Sequence, residues 1–176
     1  MLWLLVLIFR SIYSDSAYAR GSIEENGDVL QILIPVVGLG STIFYEEGNE
    51  GIIQLSKAFV TSQLITEGLK TATHKRRPNG ACCRSFPSGH TSSAFTGAGF
   101  IHKRYGLKYA IPAYIGATYV GYSRVQADKH YVEDVVAGAL VGTLSSFYFT
   151  DLYNKGFSIA PVAGKGVYGV NISLNW

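Results

Sequence analysis

Charge is scarce in this chain. Of its 176 residues 15% are charged and 48% hydrophobic, where an ordinary soluble protein carries roughly a quarter charged residues. The apolar excess needs either a compact core or a bilayer. Long hydrophobic runs are missing too: the most apolar stretches, 29–45, 109–122 and 135–150, hold 14 to 17 residues each, at or below the roughly 17 to 25 that a spanning helix needs. With a mean hydropathy of only +0.18, a membrane bundle and a periplasmic one both stay open. The length suits one domain. Repeats and low-complexity tracts are absent.

Cysteine is limited to Cys82 and Cys83, which are adjacent. Neighbours can close only a strained ring, so the pair predicts free thiols or an intermolecular bridge rather than an ordinary structural disulfide. No cluster of Asp, Glu, His and Cys has metal-ligand spacing, so neither a metal nor another cofactor is expected. The most informative absence is acidic. Between Glu67 and Asp128 there is no carboxylate, while Lys70, Lys75, Arg76, Arg77, Arg84, Lys103, Arg104, Lys108 and Arg124 fall in that interval. Such a field attracts anions. Nucleic acid is disfavoured because no aromatic side chains are interleaved for stacking. For Lys103, Arg104 and Lys108 the alternative is a positive flank of membrane helices.

What is present divides the chain in three. Residues 1–19 carry an apolar stretch, Leu2 to Phe9, and end on Ala17-Tyr18-Ala19, which reads as a secretory signal cleaved after Ala19 or as an uncleaved anchor. Residues 20–155 form the helical domain. Within it Arg20 to Asp28 reads as a polar loop, and Val29 to Tyr45 as a bent or buried helix. Helical spacing runs from Ile52 to Lys70, 75–86 is a loop, and Ser88 caps a helix reaching about Arg104. Gly106 marks a turn, a helix covers Lys108 to about Tyr122, and a last one Tyr131 to Phe149. Residues 156–176 alternate apolar Val170, Ile172, Leu174 and Trp176 with polar or small neighbours, which predicts a short β-hairpin turning at Gly164 to Gly166.

Two segments break the apolar rhythm, RSFPSGH (84–90) and SRVQADKHYVED (123–134). Two short-linked helices of opposite direction lie between them, so the predicted fold is all-α, an antiparallel helical bundle with both catalytic loops at one end. The groups brought together suit a phosphoryl group. Lys70, Arg77 and Arg124 offer donors without acceptors, and Ser88 with the Gly89 N–H sits at a helix N-terminus, where the dipole favours an anion. His130 and Asp134 stand at i and i+4, so a helix starting by His130 lets the carboxylate hold one imidazole nitrogen while the other attacks phosphorus. His90 is then the general acid and later the base. His74 and His102 read as ordinary core or surface residues.

The sequences KTATHKRRP (70–78), PSGH (87–90) and SRVQADKHYVED (123–134) together resemble the three-part signature of the phosphatidic acid phosphatase type 2 superfamily. Three ordered motifs at matching spacings are a specific signal. The resemblance implies a helical bundle, metal-independent phosphatase activity, a phosphohistidine on His130, and phosphate held by Lys70, Arg77, Ser88, Gly89, His90 and Arg124. The expected substrate is a phosphomonoester or pyrophosphate of a membrane lipid, of the undecaprenyl pyrophosphate, phosphatidylglycerol phosphate or lipid A type, at the bacterial inner membrane with the site facing the periplasm. A soluble periplasmic acid phosphatase acting on small phosphoesters, a vanadium-dependent haloperoxidase and a non-catalytic phosphate-binding protein are the alternatives.

Overall fold

The computed structural model of the protein describes the backbone of residues 2–153, 158–164 and 167–173, and the side chains of residues 21–153. Five helices follow one another: α1 (Leu2–Tyr45), α2 (Glu50–Thr73), α3 (Gly89–Tyr105), α4 (Leu107–Gln126) and α5 (Val132–Phe149). Over the tail, the backbone of Ser158–Gly164 and Val167–Ser173 runs as two strands paired antiparallel. Their side chains, and the turn expected to join them, lie outside the described residues, as do the side chains of the expected leader.

The first helix corrects the sequence reading. Arg20 to Asp28 is not a loop but part of α1, which continues through Pro35 to Tyr45. Tertiary contacts decide the matter, because Glu24 and Asp28, one turn apart on a single face, both pair with cations beyond α4's midpoint. The polar stretch is one side of a helix, and only its composition resembles a loop.

Helix α3 is the centre of the bundle and packs against α1, α2, α4 and α5. Its interior contacts are small and polar. Ser92 Oγ lies 2.6 Å from Ser62 Oγ and accepts from Thr66 at 3.1 Å, Thr96 donates to Ser62, and Ser146 donates to the Thr96 carbonyl. Gly138 on α5 has no side chain because one would meet the Ser88 carbonyl, so α5 can lie directly on the start of α3.

Outside, the pattern inverts. Val29, Ile32, Leu33, Val36 and Val37 on α1, and Val136, Leu140 and Leu144 on α5, are exposed. Among the described residues two helices are long and apolar enough to cross a membrane: Gly21–Tyr45, with hydropathy 1.6, and Val132–Phe149, with 1.2. Buried hydroxyls bonded across helices and apolar side chains turned outward are what a bilayer, rather than water, asks of a bundle.

The far end of the bundle is closed by charge. Arg104, at the end of α3, grips Glu46 through two hydrogen bonds of 2.8 and 2.6 Å, and also donates to Gln54 and to the Asp151 carbonyl. Tyr105 donates to the same Glu46 carboxylate. The flank reading fails for Arg104, which is buried in this clasp.

Candidate active site

The two odd segments meet, and Asp134 joins them. It is the third residue of α5 and fully buried; one oxygen accepts from the Tyr131 N–H at 3.0 Å, satisfying a donor at the helix start. The same carboxylate takes the Lys75 ammonium at 2.6 Å and the Ser85 hydroxyl at 2.5 Å, while its backbone carbonyl accepts from the Ser88 N–H at 2.9 Å. Four segments, the loop at 75, the loop at 85, the start of α3 and the start of α5, are thereby fixed to one residue.

His130 precedes α5 instead of beginning it, and the Ser85 carbonyl stands nearer its Nδ1 than the expected partner Asp134 does. Its Nδ1 lies 2.6 Å from the Ser85 carbonyl oxygen and 3.8 Å from Asp134 Oδ2. A carbonyl can only accept, so Nδ1 carries the proton and donates it there, which leaves Nε2 with a free lone pair. Asp134 makes no hydrogen bond to the imidazole; it holds Ser85, and its charge acts on the ring from 3.8 Å. Burial pushes His130 down to about 4, with Arg77 and Lys70 pushing the same way against the Ser85 carbonyl and Asp134. The ring is therefore held in its neutral form near neutrality, the form in which an imidazole can attack an electrophile.

Ser88 caps α3 as expected, its hydroxyl oxygen accepting from Thr91 Oγ1 at 3.0 Å and from the Thr91 N–H at 3.5 Å. Lys70 leans over the start of that helix: a Cβ on Gly89 would stand 3.0 Å from its Nζ. The ammonium is partnered by Glu67 at 3.0 Å, and Glu67 also holds Arg84. The Arg77 Nε is buried without a partner.

Arg124 was expected in a loop and lies in the last turn of α4. It is buried; its Nε donates to Ser123 Oγ at 3.1 Å and its NH2 to the Glu24 carbonyl at 2.8 Å. Its NH1 is 2.8 Å from Asp28 Oδ1, close enough for an ion pair, yet neither atom makes a hydrogen bond there. The same Asp28 oxygen is 3.1 Å from His90 Nε2, and Glu24 pairs with Lys129. Sequence reasoning missed Glu24, Asp28, Lys75 and Ser85 as members of this cluster. The signal for the first two was their i, i+4 spacing directly ahead of an apolar run.

Cys82 and Cys83 are bonded to each other, which corrects the expectation of free thiols. Their Cα atoms stand 3.5 Å apart, shorter than the roughly 4.4–6.8 Å usual for bridged pairs, because the two residues share a peptide bond. Among the described residues no group of three or more His, Cys, Asp or Glu could hold a metal ion. The donor set around His130 is cationic, which suits an anion and repels a metal.

The sequence pattern of the PAP2 superfamily matches residues 51–157. A lipid A 4'-phosphatase of Helicobacter pylori is 33% identical over 193 aligned residues, covering 100% of this chain and 94% of that protein. Of solved structures, LpxE of Aquifex aeolicus superposes with a TM-score of 0.64 at 25% identity, covering 74% of this chain and 84% of that one. A transmembrane PAP2-type phosphatidylglycerolphosphate phosphatase of Bacillus subtilis gives a TM-score of 0.56 at 28% identity, covering 75% and 73%.

Proposed function

The chain belongs to the PAP2 superfamily, and from that membership and the geometry around His130 we propose that it is a membrane lipid phosphatase whose substrate is a lipid A-type glycosyl phosphate. The observation that carries the reading is the buried neutral imidazole of His130, tied by Nδ1 to the Ser85 carbonyl and faced by the cations Arg77 and Lys70. The similarity to a lipid A 4'-phosphatase over the whole chain supports the substrate class. Phosphatidylglycerol phosphate is the second reading, supported by the likeness to the Bacillus subtilis structure.

In the proposed mechanism Lys70, Arg77, Arg124 and the N-terminus of α3, with Ser88 and Gly89, bind the phosphoryl oxygens. Charge grows on these oxygens in the transition state, where fixed donors act most strongly. His130 Nε2 bonds to phosphorus while the ester P–O bond breaks, and His90 gives its proton to the departing oxygen. Water then attacks the phosphohistidine, surrendering a proton to His90 as the P–N bond breaks and phosphate leaves. Asp134 acts by holding Ser85, Lys75 and the start of α5 in register.

In this reading the chemistry stands beside lipid. Exposed apolar faces of α1 and α5 contact the bilayer in this reading, and the loops at 75–88 and 127–131 lie at its periplasmic surface, with α3 and α4 antiparallel beneath them. An apolar groove of about 270 Å³ between α1 and α4, lined by Leu30, Leu33, Val37, Tyr109 and Pro112 among others, has the character of an acyl-chain seat. In this reading residues 1–19 serve export or anchoring, residues 20–155 form the catalytic domain, and the paired strands Ser158–Gly164 and Val167–Ser173 are appended to it.

The test is phosphate release by the purified full chain in detergent from lipid A, phosphatidylglycerol phosphate, undecaprenyl pyrophosphate and p-nitrophenyl phosphate, with and without EDTA. Release from lipid A that EDTA leaves unchanged and vanadate blocks is the expected result. Release only from phosphatidylglycerol phosphate would move the assignment to the second reading. No hydrolysis of any of the four, with peroxide-dependent halide oxidation once vanadate is added, would overturn it.

A further inference from the structure

The cationic stretch between Glu67 and Asp128 receives acidic groups from outside itself. Glu24 and Asp28 belong to the polar start of α1, ahead of the residues, 51–157, that match the superfamily pattern. Glu24 takes Lys129 with its side chain and Arg124 with its carbonyl, so it braces the wall of the site. Asp28 is placed differently. A single oxygen, Oδ1, stands between Arg124 NH1 at 2.8 Å and His90 Nε2 at 3.1 Å, and half of its side chain faces solvent.

We propose that Asp28 is a positioning residue for His90, its carboxylate accepting the Nε2 proton so that Nδ1 is the nitrogen that exchanges a proton with the leaving oxygen and then with water. The inference rests on the phosphatase reading above.

A carboxylate bonded to one nitrogen fixes the ring and stabilises the imidazolium that forms when the other nitrogen is protonated, the logic of an orienting third group behind a general base. His90 needs that help more than most histidines. Burial disfavours its charged form, and Arg124 and Lys129 disfavour it further; Asp28 is the group that opposes them. A general acid must be protonated before it can act, so without Asp28 the acid form would be scarce and the ring free to turn.

Leaving groups distinguish this role from a purely structural one. Departure of a sugar hydroxyl from lipid A needs a proton, whereas p-nitrophenolate leaves with little assistance. Asp28→Asn should therefore lower kcat on lipid A by about ten- to a hundredfold, a part of the roughly 10²–10⁴ that acid–base catalysis supplies. The loss on p-nitrophenyl phosphate should be about tenfold smaller, with KM for both substrates changed by less than about threefold. In a His90→Ala background, where the partner is already gone, adding Asp28→Asn should cost nothing further, because residues that act as a unit are not additive.

Equal losses on both substrates, or an undiminished loss in the His90→Ala background, would mean that Asp28 acts through Arg124 or the fold and would overturn the proposal. A fall in KM with kcat intact or raised would overturn it in another way, showing a carboxylate that occupies the phosphate seat until substrate displaces it. Thermal unfolding in detergent checks that the variant is folded. If Asp28→Asn is not, Asp28→Glu keeps the acceptor and must show the wild-type ratio of lipid A to p-nitrophenyl phosphate turnover; a ratio shifted toward that of His90→Ala would count against the assignment. Wild-type protein that hydrolyses neither substrate would instead refute the phosphatase reading, and His130→Ala supplies the blank for both.

Discussion

Two buried arginines, twenty residues apart in sequence and at different ends of the interhelical packing, show two ways of keeping a guanidinium out of water. Arg104 is 3% exposed and Arg124 1%. Arg104 spends its donors on the chain itself: a two-bond grip on Glu46, a bond to Gln54 and one to the Asp151 carbonyl. Arg124 is held by Ser123 and Glu24 but keeps NH1 without a hydrogen bond. The contrast extends to the surroundings. Of the buried side-chain atoms without a hydrogen-bond partner among the described residues, Arg77 Nε and Arg124 NH1 belong to the candidate site, the latter held only by its ion pair with Asp28 at 2.8 Å, and none belongs to the Glu46 clasp. Leaving such atoms unmatched costs about 1–3 kcal/mol each, more when charged. An unmatched donor is tolerated where a ligand will complete it, so the clasp reads as architecture and the other end as a seat.

The sharpest way to break that comparison is at the proposed nucleophile. His130→Ala should reduce turnover by roughly 10⁴ to 10⁶ and abolish acid-labile, base-stable phosphate on rapidly quenched protein; label surviving in the variant would remove His130 from its role. The arginines should then separate by readout. Arg124→Ala is expected to lose about 10²–10³ in kcat with little change in thermal midpoint. Arg104→Ala, which strands the buried Glu46 carboxylate, is expected to lose about 3–5 kcal/mol of stability while the folded fraction keeps its kcat. Activity and stability losses of the same size in both variants would erase the distinction.

A smaller effect is expected where α5 meets the first motif. Gly138→Ala puts a methyl against the Ser88 carbonyl, and overpacking of this kind costs about 1–3 kcal/mol. Because the carbonyl belongs to the cap of α3, the loss should appear in KM for phosphate esters as well as in thermal unfolding, whereas Ala139→Gly on the same helix should leave KM unchanged.

The smallest effect is a proton's. His130 is held at about 4 against an ordinary 6.5, so the folded state binds fewer protons than the unfolded state between those values. Stability contributed by this group is complete above 6.5 and is lost as pH falls toward 4. Phosphoenzyme formation from p-nitrophenyl phosphate should accordingly persist as pH falls through 6, and an acid limb centred near 6.5 would show that the imidazole is not depressed.

The motif residues were legible in the sequence because their chemistry is unusual: histidines, arginines and small turn formers in an apolar chain have few structural uses. Ser88 as a cap and Gly106 as a helix break were legible for a similar local reason. Contact across the sequence was not. The partner of His130 is a backbone carbonyl, which every residue has, so nothing about Ser85 announces it. Asp134 could be seen four residues after His130, but its bond to the Tyr131 N–H depends on where α5 begins, and helix ends are set by such caps. Glu24 and Asp28 read as loop because a helix with one polar face and one apolar face looks mixed until its neighbours are known.

The hydroxyl-lined contacts of α3 bear on how the molecule is made. Helix α3 is not among the segments apolar enough to enter lipid alone, and its Ser92 and Thr96 find partners on α2 and α5. During synthesis α1 and α2 precede it, but α5, which brings Ser146 and the close approach at Gly138, is the last helix to emerge. Until then the Thr96 carbonyl lacks its Ser146 donor and the small-residue face of α3 is uncovered. A chain that stalls or is cut between α4 and α5 would therefore present a hydrophilic helix with no finished berth, and quality-control proteases should clear it faster than a chain truncated after α5.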